Sequence, residues 1–106
     1  MTAVAEDERA FMAAVEAMVE AAPGLTPLHA GVLTALGAGV AGDSRSFAKV
    51  FGLAHALVLR AVSDLADELG LVSVAARDAR TQRAKLALTE AGRRLVAAAP
   101  AAARQG

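Results

Sequence analysis

The sequence of 106 residues has no cysteine, tryptophan or tyrosine, and Phe11, Phe47 and Phe51 are its only aromatic residues. Without cysteine, disulfides, thiol redox sensing and thiolate metal sites are excluded. No stretch approaches the roughly 20 apolar residues of a membrane span. Where a targeting segment would carry basic residues before an apolar run, the chain has Glu6, Asp7 and Glu8. A soluble, cytoplasmic protein without a membrane partner is expected. The formal net charge is zero, so attraction to a polyanion has to come from a local patch.

What the sequence does have is alanine: 29 residues, within a hydrophobic content of 56%. Alanine favours helix but buries little area per residue. A single, mainly helical domain is therefore expected, and its thin core motivates a homodimer. The zero net charge also hides a division. Residues 1–42 hold five acidic residues against Arg9 alone, whereas residues 43–106 hold ten basic and six acidic ones. The C-terminal part is the candidate for a polyanion partner.

From Ala5 to Ala22, Phe11, Val15, Met18 and Ala22, with Met12 and Val19 beside them, form an apolar stripe at helical spacing. The acids at its start complement the helix dipole, and Pro23 and Gly24 end it. Thr26 can cap a second helix with Pro27 at its first position, running to about Leu36. GAGVAG, Gly37 to Gly42, matches the dinucleotide fingerprint in letters only: a capped helix precedes it where that fingerprint needs a strand. It reads as a helix exit and a turn. Asp43 or Ser44 caps a short third helix with Phe47, Ala48, Val50 and Phe51 on it. Gly52 and Leu53 lead to a fourth helix from about Ala54, with Val58, Val62, Leu65 and Leu69 as its buried stripe and Gly70 as its end. Short helix, glycine turn and helix make a helix-turn-helix.

Two short apolar runs follow, Leu71, Val72 and Val74, then Leu86 and Leu88 alternating with polar or small residues. Between them lie Arg77, Asp78, Arg80, Arg83 and Lys85, four bases and one acid. This is a cationic hairpin loop, a wing directly after a helix-turn-helix. Thr89 can cap a last helix through Arg93, Arg94, Leu95 and Val96, and the tail from Pro100 onward is expected to fray. The fold expected is mainly α with a small β-hairpin wing, a winged helix-turn-helix of about five helices. An α-helix fits the major groove of DNA, and guanidinium groups on an adjacent hairpin suit phosphates and the narrow minor groove.

LTPLHAGVLTAL, SFAKVFGLAHALVLRAVSDLADELGLVSV and RDARTQRAKLALTEAGRRLV together resemble the winged helix-turn-helix repressors of the multiple antibiotic resistance regulator (MarR) family, over about residues 25 to 97. LALTEAG is the most specific piece. LysR-type DNA-binding domains share a similar ending, but LTPLHAGVL and the longer basic loop suit the first family better. The resemblance implies a homodimeric, sequence-specific transcriptional regulator of double-stranded DNA, with the fourth helix in the major groove. It also implies an N-terminal dimerisation helix over residues 1–24, a DNA-binding core over 25–89 with the wing at about 71–88, and a C-terminal helix over 90–106. The family's Asp-x-Arg pattern can be laid on Asp78 to Arg80, or aligned so that Arg83 takes the arginine place and Thr81 the acid's.

The DNA-binding residues expected are Ser44, Arg45, His55, Ala56, Arg60, Ser63, Arg77, Arg80, Arg83 and Lys85. Arg60 is the candidate for a guanine contact. On a helix turning roughly 100° per residue, Asp64 and Asp67 share that outer face with Ala56, Arg60 and Ser63. The dimerisation residues expected are Phe11, Val15, Met18, Val19, Leu95 and Val96. His29 and His55 have no carboxylate or second histidine at metal-ligand spacing, and no serine, histidine and acid cluster points to a nucleophile. No metal, cofactor or enzymatic activity is expected, and no small-molecule effector is assigned. The rival reading keeps the fold and makes it a protein-interaction module, with Leu57 and Leu59 as an apolar patch for a protein partner.

Overall fold

Side-chain caps start three of the helices in the computed structural model, which describes residues 2–105, with side chains described for residues 9–98. The first helix, α1, spans Thr2–Ala21. Glu6, Asp7 and Glu8, expected to complement its dipole, lie outside the residues with described side chains. Thr26 caps α2, Pro27–Gly37, in a reciprocal arrangement. The Thr26 hydroxyl accepts from the His29 N–H at 3.2 Å, and His29 Nδ1 accepts from the Thr26 N–H at 3.1 Å. Histidine here takes the part that glutamate plays in a capping box. With Nδ1 accepting, the ring proton lies on Nε2, which donates to Asp64 Oδ2 at 3.0 Å. The buried His29 thus joins the start of α2 to the end of the fourth helix.

Of the two residues offered for the next cap, Asp43 is the one used, accepting from the Ser46 N–H at 2.9 Å. Helix α3 runs Ser44–Phe51 and ends on Gly52, whose φ of 66° is the left-handed conformation that glycine adopts without a Cβ clash. Ala54 then opens α4, His55–Ser63. The chain continues from α4 into a π-helical turn over Asp64–Glu68, with the Leu69 N–H reaching back to the Asp64 carbonyl at 3.0 Å. This turn revises the expected apolar stripe. Val58, Val62 and Leu65 are buried, but the wider turn rotates Leu69 off the stripe and leaves it 40% exposed.

The wing is an antiparallel pair, β1 Val72–Arg77 and β2 Ala84–Leu88, in which Val72 faces Leu88 and Arg77 faces Ala84. A bulge lies between Val74 and Ala76. β1 extends three residues beyond the expected Val74, because Ala76 and Arg77 pair with Lys85 and Ala84 past the bulge residue Ala75, where alternation in the sequence is lost. The segment before α3 adds a short third edge: the Leu86 N–H donates to the Gly42 carbonyl at 2.9 Å, and Asp43 bridges to Lys85. The last helix, α5, spans Glu90–Gln105. The helix runs on through Pro100 to Gln105, where the sequence led to an expectation of fraying.

Phe47, Met18, Leu33, Leu65, Val32 and Val58 form the fully buried centre. Phe47 stacks on Phe51 at 6.2 Å between ring centroids, and Phe51 meets Phe11 of α1 at 6.3 Å. The fold is mainly helical with a two-stranded antiparallel hairpin, as the sequence pattern predicts. Among the described residues no helix is long and apolar enough to cross a membrane.

Candidate nucleic-acid interface

An acid organises the tip of the basic hairpin. The Asp78 carboxylate accepts from the Arg80 N–H at 2.8 Å and the Thr81 N–H at 3.2 Å, and the Asp78 carbonyl accepts from the Gln82 N–H at 2.8 Å. Such a turn is a common use of aspartate. Gln82 completes it at a φ of 62°, with its side-chain amide donating to the Ala79 carbonyl. Asp78 is therefore engaged with the loop backbone, and Arg77, Arg80, Arg83 and Lys85 are all exposed around it.

Two arginines fasten this wing to α3. Arg45 Nη2 donates to the Thr81 carbonyl at 3.2 Å, and Arg83 Nε lies 3.6 Å from Asp43 Oδ1. Between α3, the first turn of α4 and the hairpin opens a cleft of about 500 Å³, lined by Arg45, Ser46, Ala48, Lys49, Leu53, His55 and Arg83. Three sequence-predicted residues, Arg45, His55 and Arg83, come together there. Lys49 was not singled out in the sequence. The signal available was its spacing of four from Arg45, which puts both on one side of a helix whose other side buries Phe47.

Burial, together with the positive charges of Arg45 and Arg83, pushes the His55 imidazole below its ordinary range against the opposing pull of Asp43. For Asp43, burial disfavours the charged form. The amide and hydroxyl of Ser46, the Arg83 guanidinium and the Arg45 amide outweigh it and hold the carboxyl below its usual value.

Ser44 corrects one expectation. It is fully buried, so it cannot contact DNA. Its hydroxyl oxygen instead accepts from the Ala84 N–H at 2.8 Å and lies 2.8 Å from His55 Nε2. One small polar group behind the cleft thus ties together α3, α4 and β2. Replacing Ser44 with alanine leaves the buried Ala84 N–H without its acceptor, for an expected loss of about 2 kcal/mol. Urea unfolding of the wild type and the Ser44→Ala variant measures it.

On α4, Ala56, Arg60 and Ser63 are exposed, as the helical projection predicts, and so is Asp67. Asp64 departs from that projection: it is half-buried against His29 at 3.0 Å, not free on the outer face. Arg60 lies five residues along α4 from His55, about 7.5 Å of helix rise. It borders a separate hollow of about 150 Å³ with Leu57 and Asp64, not the cationic cleft.

The dimerisation residues also need correction. Val15 and Met18 are 4% and 1% exposed within a single protomer, because α1 packs on α2 and α5 of its own chain. They have no surface to offer a second copy. Phe11, Val19, Leu95 and Val96 are partly buried against the same core. Among the described residues of α1, the large apolar side chain turned outward is Met12, half exposed.

Among the described residues no group of three or more histidine, aspartate or glutamate side chains could hold a metal ion. No protein-family model matches the chain, and neither a curated protein nor a solved structure shows significant similarity to it.

Proposed function

We propose that this chain is a homodimeric winged helix-turn-helix regulator that binds double-stranded DNA sequence-specifically and represses transcription, as its resemblance to the MarR family implies. The observation that carries the reading is the cationic cleft between α3, α4 and the wing, with three further exposed cations, Arg77, Arg80 and Lys85, on the hairpin beside it. Cations on two adjacent elements suit the phosphate spacing of a duplex better than the scattered charge of a solvated surface. In this reading Arg60 reads base edges from α4, with Ala56 and Ser63 beside it, and the wing arginines grip phosphates or the minor groove. The dimer forms through α1 and α5, using Met12 and the partly buried Phe11, Val19, Leu95 and Val96. Two α4 helices then stand about one DNA turn, roughly 34 Å, apart. Light scattering is expected to give the mass of a dimer, and a stable monomer would remove this part of the proposal.

A second reading has one observation in its favour: Leu57, in the first turns of α4, is half exposed, and Val50 and Leu53 of the preceding segment are exposed as well. A protein-interaction module would use that apolar surface. Leu59 contributes less to it, being half-buried against the core. Retention on a heparin or calf-DNA column at low salt separates the readings. The regulator is held and elutes with salt, whereas the interaction module passes through.

A further inference from the structure

The cationic cleft contains one group whose charge can change near neutral pH, and its surroundings are specific. His55 faces Arg45 and Lys49 of α3 and Arg83 of the hairpin across the cleft, with the Asp43 carboxylate ahead of α3 and the Ser44 hydroxyl beneath it. Nε2 is engaged with Ser44, and either tautomer of the neutral ring closes that bond, because a hydroxyl both donates and accepts. Nδ1 is then the ring nitrogen left for solvent or for a ligand in the cleft. Ala54, the residue that opens α4, supplies no side-chain acceptor to the first-turn amides. Three cations, an imidazole and an uncapped helix start thus border the same cleft. The neutral ring is the state these cations favour while the cleft holds only water, since a fourth positive charge beside Arg45 and Arg83 is repelled. An anion reverses that preference.

We propose that the cleft between α3, α4 and the wing binds a phosphate group among Arg45, Lys49, Arg83 and His55, and that His55 takes up a proton as the phosphate enters. Resting on the DNA-binding reading, the inference makes that phosphate part of the duplex backbone and makes operator affinity respond to pH. The sign follows from linkage. The bound state holds one more proton per cleft than the free state, so affinity rises as pH falls between the free and bound titration midpoints of His55. The rise is at most about tenfold per pH unit for each cleft. Above that window the ring is neutral in both states and the dependence vanishes.

The experiment follows the His55 ring signals by NMR across pH 5 to 8, roughly the range in which histidine titrates, in the full chain with its two histidines. His29, held by Thr26 and Asp64 away from the cleft, is the internal reference. The chain is titrated alone, with inorganic phosphate, and with duplex DNA whose binding is monitored separately by fluorescence anisotropy. The expected result is an upward move of the His55 midpoint with phosphate and a larger one with duplex. In a His55→Gln variant the pH dependence of duplex affinity is lost. If phosphate moves His55 but the duplex does not bind, the cleft is a phosphate site and the DNA-binding reading fails. If the duplex binds while the His55 midpoint and the pH dependence of affinity stay unchanged, the inference is overturned and the DNA-binding reading stands. If nothing binds, both fall.

Discussion

Replacing Arg80 and Arg83 together with alanine is expected to weaken binding to every duplex tested, by one to three orders of magnitude at low salt. It is also expected to flatten the plot of log affinity against log salt. The reason is counterion release: each phosphate neutralised contributes about −0.9 to that slope on duplex DNA. Two arginines per protomer, doubled in a dimer, remove up to about four contacts. Both side chains are exposed on a tip whose backbone is held by Asp78 and Gln82, so their removal leaves the turn intact. Arg83 also lies 3.6 Å from Asp43, but it is more than half exposed, and so loose a pair contributes little to stability. The melting temperature should therefore barely move. Arg60→Ala is the contrast, relaxing the preference between duplex sequences more than it lowers affinity overall. Anisotropy titrations at several salt concentrations, on one cognate and one unrelated duplex, separate the two effects.

Gly92→Ala is expected to destabilise the fold by about 3 kcal/mol, the upper end for overpacking, or to prevent α5 from docking. A Cβ added at Gly92 would collide with the Leu71 carbonyl oxygen and stand 3.2 Å from the Leu88 side chain. The first neighbour is backbone and cannot swing aside. That carbonyl is also the acceptor for the Thr89 N–H at 3.1 Å, while the Thr89 hydroxyl donates to the Gly70 carbonyl at 2.7 Å and accepts from the Gly92 N–H at 3.1 Å. Any shift that relieves the methyl group breaks this junction between the base of the hairpin and the start of α5. Gly92 is needed for close approach, since its φ is not among the positive ones. Alanine at Gly24, which has nothing within 4 Å of an added Cβ, is the control and should be nearly neutral. Thermal unfolding of the two variants tests both expectations.

The fold was legible in the sequence where local chemistry is unambiguous. Thr26 before Pro27 and Thr89 before Glu90 offer a hydroxyl to the first-turn amides, and Gly52 and Gly70 after apolar runs adopt the left-handed conformation that ends a helix, so each marks a boundary. Less legible was anything set by tertiary packing. The π-helical turn at Asp64–Glu68 has no sequence signature, so Leu69 read as core and Asp64 as surface. Ser44 read as a polar contact because serine at a helix start normally faces water, but the approach of β2 buries it under the Ala84 amide. For the candidate site, the wing arginines were visible as a local charge excess. Their joining with Arg45, Lys49 and His55 depends on how the hairpin folds back onto α3, which spacing along the chain does not encode. The apolar stripe of α1 shows the same limit: Val15 and Met18 read as dimer contacts, because the sequence does not show that α5 packs beside α1 in one protomer and buries them there.

Central to the proposed function is that α3, the outward side of α4 and the wing meet a single duplex together. Amide chemical-shift mapping of the labelled protein with a bound duplex tests this most directly. The predicted result is a contiguous set of perturbed amides around Arg45, Lys49, His55, Ala56, Arg60 and Ser63 and through Arg77 to Lys85. Perturbation of the wing without α4, of the Leu53 and Leu57 surface alone, or of no amides at all would contradict it.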